Sequence, residues 1–167
     1  CGMYIVVMKD KIKFFADTTV NAKPSAQDLA NIAILTADTV KNSFNITPKV
    51  AMLSYSNFGS AEGDSVERVQ EATKIVKQKR PDIIIDGEMQ VNVALSTELL
   101  QREYPFSDLK EEANVLIFPN LSSGNISYKL MNSMGNAKTI GPILLGMKKA
   151  VNVLSKNSKV DSIIDLT

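Results

Sequence analysis

Apolar residues fall in short runs separated by polar, turn-rich segments, and two periodicities alternate along the chain. Residues 3–8 (MYIVVM) and 11–16 (KIKFFA) predict two strands around Lys9-Asp10. The first is apolar throughout, as in a buried strand. In the second, Lys11 and Lys13 alternate with Ile12 and Phe14, the period of two expected of a half-buried strand. After Pro24, Ser25 is placed to cap a helix with Asp28 as its capping-box partner, and Leu29, Ile32, Ala33, Thr36 and Val40 share one helical face. An apolar strand follows at 50–53, and a helix from about Ser65 carries Glu67 in its first turn and Lys77, Lys79 and Arg80 near its end, until Pro81 stops it. Further strands are expected at 82–85, before Asp86-Gly87-Glu88, and at 114–118. Further helices are expected around 91–102, 123–134 and 158–166, with 139–146 and 150–154 extended or turning.

Strand and helix alternate, and the strand runs are almost continuously apolar. That combination predicts an α/β fold, a three-layer arrangement in which a parallel-rich sheet has helices on both faces. The first two strands are expected as an antiparallel hairpin added to it. The chain has 167 residues, enough for one domain, and 1–167 reads as one unit without linker, repeat or low-complexity segment.

Composition narrows the chemistry. The net charge is +1 and basic residues are scattered, which argues against nucleic acid as partner. No apolar run approaches a membrane span, and the opening CGMYIVV lacks the basic region of a signal peptide, so a cytoplasmic location is expected. The single cysteine, Cys1, excludes an intrachain disulfide. The absence of histidine excludes a Ser-His-Asp triad, a Cys-His pair and a His-based zinc site, and no metal site is expected.

In open parallel sheets, ligands sit beyond the carboxyl ends of the strands. Those ends carry Asp17, Thr18 and Asn21, then Ser54, Ser56, Asn57 and Ser60, then Asp86 and Glu88, then Asn120. The loop 54–60 is the stronger candidate for holding phosphate or carboxylate oxygens, because three serines and Gly59 follow a buried strand directly. It is not a Walker A loop, and the chain has no GxGxxG. The same residues also fit plain strand-to-helix loops, which are polar in any case. Asp86 and Glu88 read either as an acid/base pair or as structural carboxylates holding loop amides. Ser155-Lys156-Asn157-Ser158 reads either as an anion site at a helix start or as a simple Ser158 cap.

Beyond these generic patterns, FADTTVNAKPSAQDLANIA, KVAMLSYSNFGS, DGEMQVNVAL, ANVLIFPNLSSGNISYKL and IGPILLGMKKAVNVLS resemble, in order and over nearly the whole chain, the phosphate acetyl/butyryl transferase family. The resemblance implies transfer of an acetyl group between CoA and phosphate without a metal, with acetyl-CoA or another phosphate-bearing small molecule as ligand. It also implies a homodimer or higher homo-oligomer. The family's catalytic unit is about twice this length, so the chain is expected to be the carboxyl-terminal part of a longer protein.

The family's catalytic segment reads like NDLSRGCSDED. Ser155 matches its serine, Lys156 stands at its arginine, and Ser162 stands where it has an aspartate thought to help deprotonate the CoA thiol. The resemblance thus assigns catalytic positions to Ser155, Lys156 and Ser162, two of them degenerate, and ligand binding to Ser54, Ser56, Asn57, Ser60, Ser155, Lys156 and Ser158. The wording SYSNFGS, DGEMQ, FPNLSSGN and NVLS, with Val153 in place of an aspartate, is similar to the phosphotransacetylase-like tail of large bacterial malic enzymes. That implies a regulatory and oligomerising domain that binds acetyl-CoA. Its parent would be an enzyme that decarboxylates malate to pyruvate, using NAD(P) and a divalent metal in other domains. The alternatives are the carboxyl-terminal half of an active phosphate acetyltransferase and a purely structural oligomerisation module.

Overall fold

The computed structural model describes residues 1–149, 151, 153, 154 and 164. Its elements run β1 (Gly2–Met8), β2 (Lys11–Ala16), α1 (Ala26–Phe44), β3 (Lys49–Leu53), α2 (Asp64–Lys79), β4 (Ile84–Met89), α3 (Val91–Ala94), α4 (Thr97–Glu103), β5 (Val115–Ile117), α5 (Leu121–Met134) and β6 (Lys138–Leu144). The strands form one mixed sheet in the order β4-β3-β5-β2-β1-β6. β4, β3, β5 and β2 run parallel, while β1 is antiparallel to both β2 and β6. The fold is the α/β sheet expected, with the amino-terminal hairpin joined to it through β2.

Alternation along β2 sends Phe14 and Ala16 to one face and Phe15 to the other. On the first face Phe14, Val50, Ile85 and Ile117 pack with Leu29, Ala33 and Val40 of α1 and Val69 and Val76 of α2. On the second, Phe15, Ala51, Leu53, Met89, Leu116 and Phe118 pack with Val93 of α3, Leu100 of α4 and, from α5, Met131. Burial on both faces explains why the strands read as continuous apolar runs. Helix α1 begins as its sequence dictates: the Ser25 side chain accepts from the Asp28 amide while Asp28 accepts from the Ser25 backbone.

Three local expectations change. β4 does not stop at Ile85 but continues through Asp86-Gly87-Glu88 to Met89. Both carboxylates find buried partners, so the ladder with β3 can persist. The helix expected over 91–102 divides into α3 and α4 at Leu95-Ser96, where Ser96 caps α4 by accepting from the Leu99 amide. Residues 138–144 form a true strand, β6, at the sheet edge. Its register against β1 shifts around Gly141-Pro142, a place where a residue without an amide hydrogen is tolerated. Most of the helix expected at 158–166 lies outside the described residues. Among the described residues, no helix is long and apolar enough to cross a membrane.

Candidate functional site

The parallel strands end side by side, so four segments distant in sequence meet at one edge: the turn after β2, the loop after β3, the end of β4, and Pro119-Asn120 between β5 and α5.

The turn after β2 is organised by Asp17. Its carboxylate accepts from the amides of Gly2 (3.0 Å), Thr19 (2.9 Å), Val20 (3.2 Å) and Asn21 (2.9 Å), and from the Asn21 side chain. Burial alone would push this carboxyl up, but the amides outweigh it and hold Asp17 below the usual aspartate range. Thr18 donates its hydroxyl to the Gly2 carbonyl. Helix α5 starts against this turn. Asn120 caps it by accepting from the Ser123 amide at 3.0 Å, and the Asn125 amide group donates to the Thr18 carbonyl at 3.2 Å.

Loop 54–60 is stitched down by its own polar groups. Ser56 is fully buried, and its hydroxyl donates to Glu88 Oε1 at 2.7 Å and accepts from the Ala61 amide at 3.1 Å. The Asn57 amide donates to Ser60 Oγ at 2.8 Å, and Asn57 Oδ1 accepts from the Gln90 amide at 2.7 Å. Ser56, Asn57 and Ser60 therefore shape the loop, whereas Ser54 and Tyr55 line the neighbouring cavity.

Asp86 and Glu88 lie on one strand but do not act as a pair. Asp86 accepts from Lys77 Nζ at 2.7 Å, from the Ser107 hydroxyl at 2.9 Å and from the Asp108 amide at 2.8 Å. Glu88, which is 1% exposed, accepts at Oε1 from the Ser56 hydroxyl and from the Gly59 amide, both at 2.7 Å. The separation comes from a register shift: Met52 faces Gly87 and Leu53 faces Met89, which leaves Glu88 as the extra residue. Gly87 is needed here, since it sits at φ 144° and a Cβ on it would lie 2.5 Å from the Met52 carbonyl oxygen.

A cavity of about 620 Å³ opens on the second sheet face beside these segments. Phe15, Leu53, Leu116 and Phe118 floor it, and Val91, Leu95, Leu130 and Met131 wall it. Ser54, Ser65, Asn120, Ser123 and Ser127 supply its polar groups. Lys13 also lines it. Its ammonium donates to the Ala113 carbonyl at 2.6 Å, and burial pushes it below the usual lysine range despite Glu112 nearby. Arg68 of α2 reaches the Pro119 carbonyl at 3.4 Å and Ser65 at 3.5 Å.

Sequence reasoning had no signal for Ser65, Ser123 or Ser127, which look like ordinary helix-start or helix-face serines. Ser155, Lys156, Ser158 and Ser162 lie outside the described residues. Among the described residues, no cluster of three or more His, Cys, Asp or Glu side chains is arranged to hold a metal ion.

Comparison with known proteins corrects one expectation. The chain is 42% identical to the phosphate acetyltransferase of Clostridium acetobutylicum and 42% identical to that of Bacillus subtilis, covering 99% of this chain and 51% of each relative. It superposes on a phosphotransacetylase from Streptococcus pyogenes with a TM-score of 0.93 at 41% identity, covering 99% of this chain and 50% of that one. The chain thus spans about half the length of these relatives. They are transferases, and this overturns the expectation of an NAD(P)-dependent malic enzyme, together with the nicotinamide cofactor and divalent metal that it carried. Over residues 1–167 the chain matches the phosphate acetyl/butaryl transferase model, and it belongs to that family.

Proposed function

We propose that this chain is the carboxyl-terminal part of a phosphate acetyltransferase, which interconverts acetyl-CoA plus phosphate with acetyl phosphate plus CoA. The observation that carries the reading is the 42% identity to enzymes of that name along 99% of the chain. The segments at the strand ends suit such a role, because they offer hydroxyls and helix-start amides beside an apolar cavity. In the forward reaction a phosphate oxygen attacks the thioester carbonyl carbon. The C–S bond then breaks, and the sulfur leaves as thiolate and takes up a proton.

In this reading the family roles at the reacting groups fall to Ser155 and Lys156, an anion-binding role to Ser158, and a place in the CoA-binding wall to Ser54. Lys156 keeps the positive charge of the family's arginine without its two-pronged fork. Ser162 cannot serve as the base that the family's aspartate provides. The enzyme is therefore expected to turn over more slowly than relatives that keep both residues. Homodimer assembly and work in the cytoplasm, where acetyl-CoA and phosphate are at hand, belong to the same proposal. The test is acetyl-phosphate formation by the full-length protein, beside calorimetric titration with acetyl-CoA. Binding without turnover would reduce the chain to a ligand-sensing role, and absence of both would reject the proposal.

A further inference from the structure

Glu88 is a buried carboxylate for which the proposed chemistry has no direct use. It lies beneath the loop that borders the cavity, and its Oε1 accepts from both the Ser56 hydroxyl and the Gly59 amide at 2.7 Å. Its own carbonyl accepts from the Phe58 amide at 2.9 Å. Gln90, two residues on, donates its side-chain amide to the Tyr55 carbonyl at 2.7 Å and its backbone amide to Asn57 Oδ1 at 2.7 Å. The end of β4 thereby fixes five consecutive residues, Tyr55 to Gly59, of a loop that leaves β3 at Ser54. Without these bonds the loop would have to find other partners for the five polar groups that make them, at a cost that favours rearrangement.

We propose that Glu88 is a positioning residue for acyl-CoA binding, acting through Ser56 and Gly59 to hold Ser54 and Tyr55 against the cavity. The inference rests on the acetyltransferase reading above. The bulge that makes Glu88 the extra residue of β4 serves this purpose, since it turns the carboxylate under the loop while Asp86 serves Lys77 and the 107–108 turn. A carboxylate buried here is compensated only while the loop covers it, so loop and carboxylate stabilise each other.

The experiment measures acetyl-phosphate formation in the full-length protein carrying Glu88→Gln, Glu88→Ala, Ser56→Ala or Asp86→Asn, with hydrogen exchange of the 54–61 amides in each. Glu88→Ala and Ser56→Ala should raise KM for acetyl-CoA roughly 10-fold to 100-fold, the scale of a small misplacement of a binding element, and should speed loop exchange. Glu88→Gln should stay within about threefold of wild type, because an amide oxygen accepts the same two hydrogen bonds. Asp86→Asn should lower the melting temperature yet leave KM and loop exchange unchanged. An unchanged KM in Ser56→Ala, or a KM rise in Asp86→Asn equal to that in Glu88→Ala, would overturn the inference while leaving the acetyltransferase reading intact. If the wild type makes no acetyl phosphate, that reading fails and the acyl-CoA role with it, and loop exchange then decides only whether Glu88 holds the loop: faster exchange in Glu88→Ala supports that, unchanged exchange removes it.

Discussion

Gly124 presses on Asp17: a Cβ built on Gly124 would stand 2.5 Å from the Asp17 carbonyl oxygen. Helix α5 can approach the turn after β2 this closely only because residue 124 has no side chain. The contact is to backbone on both sides, so neither partner can swing away as a flexible side chain would.

Gly124→Ala should therefore destabilise the fold by about 1–3 kcal/mol, the usual range for forced overpacking, although alanine is the better helix former. Urea denaturation checks this. A stability equal to or above wild type would show that α5 can shift without loss.

Asp17 gives the fold a defined acid sensitivity. Its pKa is held below the unfolded value of about 3.9 by the amides of Thr19, Gly2, Asn21 and Val20. The stability it contributes is thus fully present above the unfolded pKa and is lost as pH falls through the lower folded value. Asp17→Asn leaves donors facing donors and should cost about 1.5–3 kcal/mol at neutral pH, as for hydrogen bonds to a charged group. Denaturation series from neutral to strongly acidic pH should show the gap between mutant and wild type narrowing below about pH 4. A gap independent of pH would assign the loss to packing instead.

Much of this fold could be read from the chain, and the reasons are local. Ser25 and Asp28 lie three residues apart and announce the start of α1, whereas the two-residue period of 11–14 suggests a half-buried strand although Lys13, Phe14 and Phe15 are all buried and Ile12 is exposed. The end of β4 could not be read the same way. Asp86-Gly87-Glu88 resembles a turn until Lys77, Ser107 and Ser56, from three other elements, supply partners for the carboxylates. Likewise the serines of loop 54–60 stand out by composition. Whether each hydroxyl faces a ligand or a buried glutamate depends on a contact 32 residues away in sequence. The strand β6 was obscured by Gly141-Pro142, which sits at an edge irregularity where neither residue breaks the pairing.

The family substitutions can be reversed. Lys156→Arg with Ser162→Asp in the full-length protein should raise kcat by about tenfold or more, since general-base assistance alone is commonly worth about 10²–10⁴-fold. Steady-state kinetics of the double variant decide it. Equal kcat in variant and wild type would mean that these positions no longer limit turnover.

Sedimentation of the full-length protein at tens of micromolar should show a homodimer. A monomer under those conditions would remove assembly from the functional proposal.

The most direct test of the central claim is the reaction itself. The full-length protein, given acetyl-CoA and inorganic phosphate, should consume the thioester and form an equal amount of acetyl phosphate, detectable as its hydroxamate, and should run in reverse when given acetyl phosphate and CoA. Both directions proceeding without added metal or nicotinamide is the predicted result. Failure both to consume thioester in the forward direction and to form it in reverse, by protein shown to be folded, would contradict it.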